Sequence, residues 1–261
     1  MAKEQQGSFA RVWGRAQSGE LGEANINISQ VMQIINERLV RIVYQPIVDL
    51  KTRKIYGYEA LARSLTPKFK GPEDLFATAV QERCVGELGR MLRALALDGC
   101  TEYPLFLNVN PNEFNQGFLV QPDDPVFWHE LPIYMEITES VPLSHFALCS
   151  HVIGELRSKG VRIAIDDLGA GFSNLKYISD LEPDIVKVDR ELVAGVDKNR
   201  RKFRLLHSIV SLCNHMGAAV VAEGIETTEE LVAVCATGAQ YGQGFLLAYP
   251  DTPLPKAEWP M

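Results

Sequence analysis

IAIDDLGAGFSNL, Ile163 to Leu175, begins as an apolar run and ends abruptly in two adjacent carboxylates, Asp166 and Asp167. Gly169 and Gly171 punctuate the turn that follows, and Ser173 or Asn174 offers a helix start. The run reads as a buried strand. Neighbouring residues on a strand face opposite sides, but the last one can turn with its loop, so both acids can face one ion cluster. Hard cations such as Mg²⁺ take carboxylate oxygens. The same pair also reads as a solvated strand end and a turn cap, and the rest of the chain decides between the two.

Strands and helices alternate on both sides of this stretch. Upstream, RIVYQPIVDL (Arg41 to Leu50) and KIYGYEALA (Lys54 to Ala62) read as strands separated only by Lys51, Thr52 and Arg53. That gap is too short for a helical crossover, so the pair is expected to be antiparallel. GPEDLFATAVQERC, with Pro72 in its first turn, and VGELGRMLRALALDGC read as helices. PLFLNVNP and IYMEITES are strands, and SHFALCSHVIGELRSKG is a helix closed by Gly160. Downstream come a short helix around Tyr177, the strand DIVKVD and a long helix closed by Gly217. AAVVAEGIE is the next strand, TTEELVAVCATG carries a capping box from Thr227 to Glu230, and YGQGFLLAYP comes last. The alternation predicts an α/β fold, a TIM-type (β/α)8 barrel with an antiparallel first strand. Residues 1–24 read as a polar tail or linker, 25–255 as the barrel domain and 256–261 as a C-terminal tail. Asn27 or Ser29 caps an opening helix that presents Ile28, Val31, Met32, Ile35 and Leu39 on one face.

Composition narrows the function. The formal net charge is −7 with no long basic run, which argues against a duplex nucleic-acid binder. Cys84, Cys100, Cys149, Cys213 and Cys235 are scattered and never in a CxxC spacing. They fit reduced thiols and a cytoplasmic location rather than a disulfide framework or zinc site. No apolar run approaches a membrane-spanning length, so no membrane insertion is expected.

The polar residues fall where the strands end. They are Glu59, Asn110, Glu136, Asp166 with Asp167, Lys187, Glu223 and Gln243. In an α/β barrel those ends share one mouth. Each residue has a bland reading by itself: an edge charge at Glu59, a turn at Asn110 before Pro111, a helix cap at Glu223 or Glu226, a bend at Gln243 beside Gly244. Repeated over seven strands, the pattern points to one centre. Convergent carboxylates repel one another without a compensating charge, and two divalent cations relieve that repulsion.

These residues resemble the EAL domain family of cyclic di-GMP phosphodiesterases. YGYEALAR (Tyr56 to Arg63), LNVNP, EITES, DDLGAGFSNL, DIVKVD, VVAEGIET and YGQGF occur in the family's order from about Val40 to Pro250. The resemblance implies a (β/α)8 barrel with an antiparallel first strand, and two-metal hydrolysis of cyclic di-GMP to linear pGpG with Mg²⁺ or Mn²⁺, Ca²⁺ being inhibitory. By motif position Glu59, Asn110, Glu136 and Glu223 are implied ligands of one metal, with Asp166 bridging and Asp167 completing the second. Lys187 is implied at the nucleophilic water, where cations push a lysine toward its neutral form. Gln243 is implied at a metal-bound water, and Glu226 as a supporting acid. Gln45, Leu61 and Arg63 are implied in substrate binding, Arg63 on a phosphate, and Glu139 steadies the DDLGAGFSNL loop. A homodimer and an upstream sensory or GGDEF domain are family expectations. The alternative is a cyclic di-GMP receptor with little or no turnover.

Overall fold

The computed structural model describes residues 29–116, 118–138, 146–169 and 176–260. Eight strands close into a barrel in chain order. They are β1 (Val40–Asp49), β2 (Ile55–Ser64), β3 (Leu105–Asn108), β4 (Ile133–Thr138), β5 (Arg162–Leu168), β6 (Ile185–Val188), β7 (Ala219–Ala222) and β8 (Tyr241–Gly242). β1 runs antiparallel to both of its neighbours, and every other pair is parallel. The opening hairpin follows from its turn. Asp49 Oδ1 accepts the N–H groups of Lys51 and Thr52, and Arg53 takes a left-handed φ of 62° to re-enter the ladder.

Helices α1 (Gln30–Glu37), α2 (Pro72–Gln81), α3 (Val85–Gly99), α4 (Phe146–Ser158), α5 (Lys176–Leu181), α6 (Arg190–Val193), α7 (Arg200–His215) and α8 (Thr228–Thr237) surround the barrel. Ser29 caps α1, Pro72 opens α2 and the capping box of Thr227 and Glu230 starts α8, as the local sequence predicts. Three 3₁₀ turns between β3 and β4, Pro111–Gln116, Phe118–Val120 and Pro125–Trp128, were not foreseen. β8 is shorter than YGQGFLLAYP suggested. The chain bends at Gly244, where a Cβ would meet Ile225 O at 2.2 Å. Residues 256–260, expected as a tail, lie along the barrel instead. Glu258 N–H donates to Leu247 O, and Trp259 packs on the core with the Arg53 guanidinium 5.2 Å from its ring centre.

The period of two along the strands sorts side chains into two apolar regions. Outward residues such as Leu105, Leu107, Ile163 and Val220 pack against the helices. Inward residues Ile47, Phe106, Tyr134, Ala164, Ile185 and Val221 fill the barrel with one apolar layer. Tyr56 and Tyr241 stack against it with ring centres 4.3 Å apart, and the hydroxyls of Tyr56 and Tyr134 are hydrogen-bonded. The barrel is therefore plugged at its N-terminal end, and its inner face is open to function only at the opposite mouth.

Candidate metal centre

One side-chain period above the apolar layer, every strand turns polar. Phe106 is followed by Asn108, Tyr134 by Glu136, Ala164 by Asp166, Ile185 by Lys187, Val221 by Glu223 and Tyr241 by Gln243. On antiparallel β1 the equivalent step runs backwards, from Ile47 to Gln45, and Gln45 pairs in register with Glu59 of β2.

Lys187 is fully buried at the centre of this layer. Its Nζ lies 2.7 Å from Glu136 Oε1, 2.8 Å from Glu223 Oε1, 3.0 Å from Asp166 Oδ1 and 3.3 Å from Glu59 Oε2. Burial lowers the lysine pKa, but Asp166, Glu136, Glu223 and Glu59 together raise it well above its ordinary value. The four acids thus favour the charged lysine, whereas bound cations would act in the opposite sense.

The carboxylates divide according to their partners. Burial raises Glu59, yet Lys187 and the amides of Gln243 and Asn108 bring it below the usual range. Gln243 Nε2 donates to Glu59 Oε2 at 2.6 Å and to Gln45 Oε1 at 2.9 Å, while Gln45 Nε2 is anchored on Ala248 O. Burial lifts Glu223 to about 8 and Asp167 to about 6, with Asp166 adding to both; Lys187 opposes without prevailing. Glu136 is raised well above normal by burial, against Lys187, with Glu59 and Asp166 contributing.

Asp166 and Asp167 reach the same centre because β5 is irregular there. The β5–β6 register shifts between Ile165 and Leu168, and Asp167 adopts a left-handed φ of 60°. Such a bulge re-aims a side chain, and aspartate tolerates the conformation better than most residues. One oxygen each from Glu59, Glu136 and Asp166 lies within 4.8 Å of the others, and so does one each from Asp166, Asp167 and Glu223. Asp166 belongs to both groups. Both oxygens of Glu136 and Oδ1 of Asp166 are buried, and beyond the ion pairs of Glu136 Oε1 and Asp166 Oδ1 with Lys187 they have no hydrogen-bond partner among the described residues. Orphaned buried carboxylate oxygens are costly. Two oxygen-ligand groups sharing one aspartate fit a pair of hard divalent cations.

Asn110 does not join this layer. Its Oδ1 accepts from the backbone and the amide of Asn112, in the first 3₁₀ turn. Asn108 takes the place expected of it and donates Nδ2 to Glu59 Oε1 at 3.1 Å. The reason is the period: Asn108 lies one step above Phe106 at the end of β3, and by Asn110 the chain has left the strand. The alternation Phe106–Asn108 is visible in PLFLNVNP and identifies it. Glu226 also stands apart, exposed and bonded through both oxygens to Arg190 at 2.9 and 2.6 Å. Leu61 and Arg63 lie on the inner face of β2, above Glu59. Glu139 lies outside the described residues.

Among the described residues, no helix is long and apolar enough to cross a membrane. Four described cysteines are free, Cys84, Cys100 and Cys213 buried and Cys235 exposed.

Comparison with known proteins agrees with this architecture. The EAL domain family profile matches residues 28–250. The cyclic di-GMP phosphodiesterase PA2567 of Pseudomonas aeruginosa is 29% identical over 231 residues, which are 84% of this chain and 39% of that protein. The probable cyclic di-GMP phosphodiesterase PdeI of Escherichia coli is 30% identical over 237 residues, 84% of this chain and 29% of that protein. The EAL enzyme Bd1971 in its cAMP and cyclic di-GMP bound form superposes with a TM-score of 0.76 at 28% identity, covering 85% of this chain and 65% of that one. The calcium and cyclic di-GMP complex of Klebsiella pneumoniae BlrP1 gives 0.70 at 30% identity, covering 82% and 56%. The chain spans between 27% and 39% of the first curated relatives it matches. With the profile covering most of its length and an acid-lined mouth on a closed barrel, the chain belongs to the EAL domain family.

Proposed function

We propose that this chain hydrolyses cyclic di-GMP to linear pGpG at the mouth of the barrel. One observation carries the reading: Glu59, Glu136, Asp166 and Glu223 converge on Lys187 in a single buried layer, with Asp167 brought alongside by the β5 bulge. Relatives and solved neighbours named for cyclic di-GMP support it.

Glu59, Asn108, Glu136 and Asp166 would hold one divalent cation, and Asp166, Asp167 and Glu223 the other, Mg²⁺ or Mn²⁺ by their oxygen donors. Bound there, the cations lower the pKa of a water and neutralise charge on phosphoryl oxygens. The chain does the rest. Lys187, at the floor of the mouth, orients the attacking water by hydrogen bonding. The water gives up a proton as its oxygen bonds to phosphorus, the bond from phosphorus to the ribose 3′ oxygen breaks, and that oxygen takes up a proton to leave as a hydroxyl, so that one water is added across the bond overall. Gln243 and Gln45 form a relay from Ala248 O to Glu59 that fixes this carboxylate's rotamer. Arg63 and Leu61 line the wall above, where a guanidinium can grip phosphate oxygens in pairs. Glu226 supports the rim through Arg190.

The test is chromatography of cyclic di-GMP incubated with purified protein and Mg²⁺, beside a Ca²⁺ sample and Glu59→Ala. Formation of pGpG only by the unaltered chain with Mg²⁺ is expected. Intact substrate that still binds would make the protein a receptor instead.

A further inference from the structure

Arg41 of β1 and Arg63 of β2 stand directly opposite each other in the antiparallel ladder. Their neighbours fix the direction they face. Val40, Ile42 and Ala62 pack outward beneath α1, α2 and α3. The intervening residues therefore lie on the inner face, in one column with the pairs Val43–Leu61 and Gln45–Glu59. Side chains directly opposed in such a ladder have Cβ atoms about 4.5–5.5 Å apart, and like charges there are unfavourable. Nothing described relieves the repulsion. Arg63 Nη1 donates to Ala62 O, and neither arginine has a carboxylate partner among the described residues. In a chain of net charge −7, an unpaired arginine pair above an acid-lined mouth is a site for an anion.

The column also sets a distance. Four residues separate Glu59 from Arg63, roughly 13 Å along a strand at about 3.3 Å per residue. That is too high for the phosphorus attacked at the acids alone, and suits a second anionic group on the same ligand. We propose that Arg41 is a specificity-determining residue that, with Arg63, binds the phosphodiester of cyclic di-GMP that is not being cleaved. The inference rests on the phosphodiesterase reading and adds a residue to it.

The experiment compares R41A, R41E and R41K with the unaltered chain by steady-state kinetics on cyclic di-GMP with Mg²⁺, and by thermal unfolding. R41A is expected to raise KM about tenfold, R41E further, and R41K to stay within a few-fold of the unaltered chain, because charge is what the site supplies. The loss falls on KM rather than kcat. Tm stays level or rises, because removing one arginine relieves the repulsion. KM unchanged in R41E overturns the inference while leaving the enzyme reading intact. So does a loss in kcat accompanied by a lower Tm, which marks a structural role. An unaltered chain that neither binds nor hydrolyses cyclic di-GMP overturns both.

Discussion

At the scale of single residues, Lys187 is the hinge of the account. A lysine buried among four carboxylates is their counter-ion, and in the proposed reaction it orients the attacking water. Lys187→Met removes the cation that, among the described residues, pairs with all four of these acids. In EDTA-treated protein its Tm should fall, because like charges are left buried together. Added Mn²⁺ should raise Tm by more in the variant than in the unaltered chain, while turnover drops by about 10²–10⁴. An equal Tm rise in both would show that the lysine and the ions do not share a site. A second expectation concerns pH. Glu223 near 8 and Asp167 near 6 bind cations only when deprotonated, so Mn²⁺ affinity should weaken as pH falls from 8.5 to 6. Folding stability in EDTA runs the other way. Both folded pKa values lie above their ordinary ones, so the folded state binds more protons than the unfolded one, and the contribution of these groups falls as pH rises across that window. The Mn²⁺-induced rise in Tm should therefore be larger at pH 8.5 than at pH 6, measured by thermal shift.

At the scale of elements, the end of β3 and the turn after it show what was legible and what was not. The acids of β2, β4, β5 and β7 could be assigned from strand ends, because each lies in an alternating or apolar run whose inward side is clear. LNVNP offers two asparagines, and only the register shows that Asn108 is the one beside Glu59. Asn108→Ala should weaken Mn²⁺ binding by about tenfold, whereas Asn110→Ala should leave it unchanged and cost only turn stability; titration calorimetry of both variants compares them. The 3₁₀ turns that follow are held by a contact no local pattern announces. Arg93 of α3, fully buried, donates to Glu113 at 2.6 Å and to Asp124 at 3.0 Å. Glu113 also accepts from Asn110 N–H, and Asp124 caps the turn at Val126. Gly89 leaves the space, since a Cβ there would lie 2.1 Å from Glu113 Oε2. Partners 20 and 31 residues apart are invisible to helical or strand periods. Arg93→Met should destabilise the protein by about 3–5 kcal/mol in urea unfolding, because two buried carboxylates lose the guanidinium that bridges them.

At the scale of the whole molecule, the division between support and chemistry is set by height in the barrel. The tyrosine-plugged floor and apolar layer hold the strands in register, and the layer one period above carries the charge. The closed topology and the antiparallel opening pair were legible from the length of one gap, Lys51 to Arg53, and from the alternation of helices and strands. The path of residues 256–260 was not, because contacts of an irregular segment depend on the surface it meets. The central claim is that this layer holds two divalent cations through a shared Asp166. It is tested most directly by equilibrium Mn²⁺ binding to EDTA-treated protein, read by electron paramagnetic resonance. Two ions per chain with an exchange-coupled signal are expected, with the coupling lost in Asp166→Asn. One ion per chain, or a coupled pair that survives Asp166→Asn, would contradict it.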